Sequence, residues 1–439
     1  MTFPEQVKSH LWADIREMSA STALFAKNPN SDFSRNRKLA FADLLRFLIS
    51  MQSATIKHEL LKFFDFNLNV ISSSGFIQQR NKLLPDALRH LLLSFNAHFP
   101  FQLFKDKYQL IACDGSEFNI ARNPDDPDSF FPPTGRIAVN GYNMIHVTSL
   151  FDLLNKRYLD CVIQPSRKKN EFRAICDLAD RFPYQGHPVF IADRGFSSYN
   201  FYAHASENNL FFLVRAKDKN VMRYLNVKAL PNYLDTDIEL ILTRKQAKST
   251  RSRPDLADQY RFVSRNVSFD FIQPDSSAEY PLHLRVVRVE ISEGVYENLI
   301  TNLPALDVSS DDLKLWYHMR WGIETSFRDL KHTIGTVNFH AKKLDFIVQE
   351  IWARLILFNF CAIISLHVII KHKNTKFAYQ VNFALAIKIC HHFIRLKDRD
   401  PPPDIIGLIG NNTLPIRPFR SYARRHRLMK TASFCHRFS

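Results

Sequence analysis

The stretch YHMRWGIETSFRDLK, residues 317–331, sets a phenol, a guanidinium, a carboxylate and an ammonium at intervals of three, four and seven: Tyr317, Arg320, Glu324 and Lys331. At about 100° of rotation per helical residue, these four fall within an arc of roughly 60°. Trp316, Met319, Ile323, Phe327, Leu330 and Ile334 gather between about 200° and 280° from Tyr317, bordering that arc. A solvated face would centre its charges opposite the core, near roughly 60°, where Arg328, Thr325 and His318 lie instead. The stripe therefore predicts a cleft beside the core. Ser309 followed by Asp312 resembles a capping box and Gly335 is a natural stop, so one helix is expected between them. Gly322 inside it predicts close approach of another backbone.

Around this segment lie 439 residues, enough for roughly two to four domains and a large core. Lys and Arg number 59 against 43 Asp and Glu, a formal charge of +16. That excess points to a polyanionic partner, with nucleic acid ahead of an anionic membrane surface. Cys113, Cys161, Cys176, Cys361, Cys390 and Cys435 are spread without the pairs of a zinc site or the density of a disulfide scaffold. Cys390 beside His391 and His392 has no second cluster to complete a metal site and reads as an ordinary core or surface group. The N-terminal MTFPEQVKSHLWADIREM lacks an apolar signal core. Leu355–Ile370, interrupted by Asn359, Ser365 and His367, reads as a buried helix and not a membrane anchor.

Residues 1–104 read as helical, with LAFADLLRFLISM, ATIKHELLKFF and LLPDALRHLLLSF carrying apolar residues at three-and-four spacing. Between the last two, VISSSGFIQQRNKL reads as a Ser-rich turn leading to Arg80. With the basic entry Arg35, Arg37 and Lys38, this is compatible with a small DNA-binding helical unit or a plain packing module. From about 105 the pattern changes to short apolar runs. YQLIACDG, MIHVTSLFD, RYLDCVIQ and PVFIADRG read as strands, and EFRAICDLADRF and SSYNFYAHASENN as helices. Two of the strands end in an acid followed promptly by glycine: Asp114 then Gly115, and Asp193 with Gly195. Carboxylates at strand ends suit a ligand site in an α/β sheet, although either alone could simply start a turn.

Residues 216–302 read as β-rich, in DIELILT, QYRFVSRNVSF and LHLRVVRVEI. There RKQAKSTRSR adds Arg244, Lys245, Lys248, Arg251 and Arg253 with no acid, either a solvated loop or a phosphate contact. Further helices follow, from Leu344 to Lys371 and over 378–396. The Arg-rich end, with Arg417, Arg420, Arg424, Arg425, Arg427 and Lys430, reads as a flexible basic tail. If Asp114, Asp193 and Glu324 converge, three carboxylates can hold two hard divalent cations, the arrangement used for in-line phosphodiester displacement.

At these residues the chain resembles a known family. The spacing Tyr-x2-Arg-x3-Glu-x6-Lys matches the signature of IS4-type DDE transposases. IACDGSEF and VFIADRGF look like the blocks holding that family's two catalytic aspartates, and YENLITNL and SGFIQQRNKL also resemble family segments. The likeness spans about 35–371. It implies an α/β fold: an RNase H-like catalytic core (105–215 and 303–372) with a β-rich insertion (216–302). A helical N-terminal DNA-binding domain (1–104) would precede it, and a C-terminal helix with basic tail (373–439) would follow. The 131 residues from Asp193 to Glu324 leave room for that insertion.

By the resemblance, Asp114, Asp193 and Glu324 would be catalytic and hold two Mg²⁺ or Mn²⁺ ions. Tyr317, Arg320 and Lys331 would grip phosphates, and Trp321 would stack on a base or else sit in the core. The insertion contains no Trp, so a base-extruding tryptophan there is not expected. The expected activity is cleavage at insertion-sequence ends and strand transfer to target DNA. It implies double-stranded DNA and a second subunit as partners, no membrane, and a cytoplasmic, nucleoid-associated setting. A nuclease or resolvase on branched DNA, and a silent DNA-binding regulator, remain alternatives.

Overall fold

A computed structural model describes residues 1–439 except 36, 135–138, 184–185, 246–257, 336–338, 371–376, 397–401 and 418–439. The chain opens with five helices, α1 (Phe3–Ala20), α2 (Phe41–Ser50), α3 (Ile56–Phe63), α4 (Ser73–Asn81) and α5 (Ala87–Ala97). The Ser-rich segment expected to be a turn instead starts α4, because the Ser72 hydroxyl accepts the Gly75 N–H at 3.0 Å and caps the helix. Helix α1 buries Val7, Leu11, Ile15 and Met18, a stripe at three-and-four spacing.

Then follow β1 (Tyr108–Ile120), β2 (Phe130–Phe131), β3 (Tyr142–Asp152), β4 (Arg157–Pro165), α6 (Glu171–Asp180), β5 (His187–Ala192), α7 (Tyr199–Glu207), β6 (Phe211–Ala216) and α8 (Asp218–Leu225). Strand β1 pairs antiparallel with β3, and β3 with β4, while β5 runs parallel to β1 and β6 parallel to β5. This strand order, with helices on both faces, is an RNase H-like core. Strands β1 and β5 are nearly continuous apolar runs because both of their faces are covered. Along β1, Leu110 and Ala112 join one hydrophobic cluster while Ile111 and Cys113 join the other. Helices α6, α7 and α8 cover the second face.

Strands β7 (Leu234–Thr243), β8 (Tyr260–Phe262), β9 (Glu279–Ser292) and β10 (Val295–Thr301) come next. The stretch 263–269, expected to extend a strand, does not. These strands continue the core's own sheet: β10 pairs with β6, β9 with β10, β7 with β9 and β8 with β7. The result is one ten-stranded sheet.

The chain then forms α9 (Ser310–Met319), α10 (Trp321–His332), α11 (Leu344–Leu366), β11 (Tyr379–Val381), α12 (Phe383–Arg395), α13 (Ile405–Asn411) and β12 (Thr413–Pro415). Helix α11 is long and apolar enough to cross a membrane by length and composition, yet its most apolar window is 94% buried inside this fold. It packs against α1, α2, α5, α12 and β4, so the N-terminal and C-terminal helices share one hydrophobic cluster with the first face of the sheet.

Candidate active site

The Tyr317 stripe is carried by two helices, not one. Ser309 and Asp312 form the expected capping box of α9. At Arg320 the ladder tightens to three-residue steps, with its N–H on the Tyr317 carbonyl at 3.2 Å and the Ile323 N–H on its own carbonyl at 3.1 Å. Because Arg320 keeps right-handed helical angles, the spacing survives the break and all four side chains still reach the same side. Gly322 admits the Leu153 side chain, which a Cβ would meet at 3.1 Å, and not a neighbouring backbone.

Tyr317, Arg320 and Lys331 each meet a residue on or directly after a strand of the sheet, while Glu324 is held by Arg320 on its own helical face. The Tyr317 hydroxyl donates to Asp193 Oδ1 at 3.1 Å. The Arg320 guanidinium spans two acids, with Nη1 3.5 Å from Asp114 Oδ2 and Nη2 donating to Glu324 Oε1 at 3.1 Å. Lys331 Nζ donates to Ser116 Oγ at 2.7 Å and sits over the Phe118 ring.

Asp114 does not end its strand as expected, since β1 runs on to Ile120. Its parallel neighbour β5 stops at Ala192, level with Cys113, so Asp114 stands where one side of the strand loses its partner. Asp193 follows β5 directly and precedes a short 3₁₀ turn. Glu324 lies in the first turn of α10.

Burial governs the electrostatics here. It pushes the Asp114 carboxyl up to about 6, with the Gly115 N–H and Arg320 opposing it and Glu324 and Asp193 adding to it. Burial, reinforced by Asp193, raises the Tyr317 hydroxyl to about 12. It lowers Lys331, partly offset by Glu117. The three carboxylates thus share one field around a guanidinium that is 5% exposed. Among the described residues no three His, Cys, Asp or Glu side chains stand at metal-cluster spacing, and the Arg320 cation lies between two of the acids. An all-carboxylate donor set with Glu324 41% and Asp114 24% exposed is the chemistry that suits a hard divalent ion.

Trp321 is 47% exposed, which removes the core alternative for its ring. Its indole lies beside Arg320, 5.4 Å from the guanidinium, and opens on a cavity of about 490 Å³ shared with Ile291, Lys314, Leu315 and Tyr317. Ile291, from β9, lines it, and residues 216–302 contribute no tryptophan.

The other basic candidates divide. Arg35, Arg37, Lys38 and Lys245 are exposed, while Lys248, Arg251, Arg253 and the tail beyond Arg417 lie outside the described residues. Two expectations are corrected. Arg80 is fully buried, donating to Gln349 and Glu350 and to the Phe346 carbonyl, so it ties α4 to α11 and is closed to DNA. Arg244 is also buried, and its guanidinium donates to the carbonyls of Ser264, Val267, Phe269 and Ile272, organising that loop. Cys390 is a core residue. Burial drives its neighbour His391 down to about 3, leaving a neutral ring bonded to Gln52 and the Ser50 carbonyl.

No motif or spacing announced the support behind Asp114. On the opposite face of β1, His146 Nδ1 lies 3.1 Å from Glu117 Oε1 and Nε2 lies 2.9 Å from Glu171. Burial alone would depress this imidazole, but the two carboxylates outweigh it and raise it. Burial likewise opposes the shift at Glu117, which His146, Lys169 and Ser166 bring down to about 2. A Cβ on Gly115 would come within 2.4 Å of the His146 ring, so glycine is what lets that ring pack under β1.

Comparison with known proteins bears on this arrangement. No curated protein matches the sequence. Among solved structures, a piggyBac transposase synaptic complex with hairpin DNA, seen by cryo-EM, aligns with 97% of this chain and 88% of its own at 11% identity and a TM-score of 0.42. Residues 105–360 match the family described as Transposase DDE domain. That match covers more than half of the chain and contains both strand carboxylates and the whole stripe, and the chain belongs to the DDE transposase family.

Proposed function

We propose that this transposase serves an insertion sequence of the IS4 type, with Asp114, Asp193 and Glu324 as its catalytic carboxylates and two Mg²⁺ or Mn²⁺ ions as cofactors. The observation that carries the reading is the joining of stripe and strands: Tyr317 on Asp193, and Arg320 on Asp114 and Glu324. When bound, a pair of divalent ions supplies Lewis-acid stabilisation to both oxygens of an in-line phosphoryl displacement.

The chain's own groups do the rest. The carboxylates fix the donor set, Tyr317 orients Asp193, and Arg320 and Lys331 offer a planar fork and a point charge to the phosphates flanking the scissile bond. Trp321 presents an exposed aromatic face to an unstacked base. The partner is double-stranded DNA, consistent with the +16 charge. Two subunits would hold two ends, and the setting is the cytoplasm, at the nucleoid.

The test is cleavage in Mg²⁺ of duplexes carrying the two ends of the DNA that flanks this reading frame. Nicking at those ends in preference to random duplex is expected. Equal cutting of branched DNA would replace this reading with a structure-selective nuclease. Lys331→Ala should weaken DNA binding and lower the slope of log affinity against log salt by about 0.9, one phosphate contact. An unchanged slope would remove Lys331 from the interface.

A further inference from the structure

The acidic cleft already contains a cation. Arg320 is 5% exposed and stands between Asp114 and Glu324, flanked by the rings of Tyr317 and Trp321 at 5.6 and 5.4 Å. Its hold is incomplete: the Asp114 contact is long at 3.5 Å, and the buried Nε has no hydrogen-bond partner among the described residues. A guanidinium is best satisfied by two parallel bonds to a planar or tetrahedral oxyanion, which this pose lacks. A divalent ion drawn to the same carboxylates would meet a like charge in a partly buried cleft.

We infer that Arg320 is a resident counter-ion whose departure from Asp114 and Glu324, drawn off by a DNA phosphate, opens the carboxylates to divalent cations. The inference rests on the metal-holding role proposed above for those carboxylates. It makes DNA and metal mutually reinforcing: phosphate removes the competing cation, and metal frees the fork that grips phosphate. Such coupling is reciprocal by linkage. Without DNA the site binds metal weakly, so hydrolytic chemistry is withheld until a phosphate backbone is seated.

The experiment is Mn²⁺ binding by calorimetry and by electron paramagnetic resonance, on the full chain with and without random duplex DNA. In the absence of DNA, Arg320→Gln should bind Mn²⁺ about five- to tenfold more tightly than wild type, within the usual range of coupling between sites. Arg320→Lys, which keeps the charge, should stay with the wild type. DNA should tighten Mn²⁺ on the wild type by a similar factor and leave Arg320→Gln unchanged, a comparison that needs no variant to show the first half. A mere loss of structure would weaken metal binding, not strengthen it.

Asp193→Asn separates the two levels of the argument. If it weakens Mn²⁺ binding while Arg320→Gln binds no tighter than wild type, the counter-ion role is overturned and the metal site stands. If Asp193→Asn binds Mn²⁺ as well as wild type, or no form binds it, both fall.

Discussion

Alanine at Asp114, Asp193 or Glu324 is expected to lower cleavage of end-bearing DNA by roughly 10³-fold, the scale of losing one preorganised charge-stabilising group. Folding should not follow activity down. Asp114 is held at a cost, since burial places its carboxyl at about 6. A folded-state value raised above the unfolded 3.8 gives a contribution that is full below the unfolded value and lost as pH rises through about 6. At neutral pH the ionised side chain therefore weighs against the fold. Asp114→Asn should keep or raise the melting temperature while abolishing nicking. Such a divergence is the mark of a group retained for chemistry. Full activity in any of the three alanine variants would strike that residue from the catalytic set, and paired melting and cleavage assays decide it.

The second large effect is on stability. Arg80→Ala should destabilise the chain by about 3–5 kcal/mol, the range for removing one partner of a buried ion pair. Glu350, 1% exposed, accepts from Arg80 Nη1 at 3.0 Å and from the His340 backbone N–H at 2.9 Å. Burial would raise its carboxyl, but Arg80 and His340 prevail and hold it well below the usual carboxylate range. Without the guanidinium, an uncompensated charge would remain in the interior, or a proton would be taken up. Urea denaturation reads the loss directly. If Arg80→Ala instead melts like wild type and binds DNA with a smaller salt slope, the arginine is a phosphate contact after all.

The contrast between Arg80 and Arg320 shows what the chain discloses before it folds. Helical spacing put Tyr317, Arg320, Glu324 and Lys331 on one side because periodicity is a local property, and it survived the tightening at Arg320 that no residue type announced. The acids at 114 and 193 stood out through the glycines near them, although the continuation of β1 did not. Ser116, two residues beyond Asp114 on a strand, was within reach of the same period-two reasoning. His146 and Glu171 were not, because their meeting behind Gly115 depends on the register of β3 against β1 and on the placement of α6.

Charge composition located a basic protein but not its exposed bases. Arg80 and Arg244 look like surface residues until the fold supplies Glu350, Gln349 and a carbonyl around the first and four backbone carbonyls around the second. The β content of residues 216–302 was readable from alternation, whereas the joining of those strands to the sheet of β1, β5 and β6 was not, since strand pairing is set by contacts remote in sequence.

That fusion has a mechanical meaning. Hydrogen-bonded ladders lead from β8 through β7, β9, β10 and β6 to β5, and β5 ends at the residue before Asp193. A load placed on the outer strands travels along this plate to the aspartate without crossing a pivot. Strands β7–β10 would thus act as a stiff lever arm for Asp193, the acid proposed above as catalytic, and tension from a bent duplex resting on them would be felt beside it.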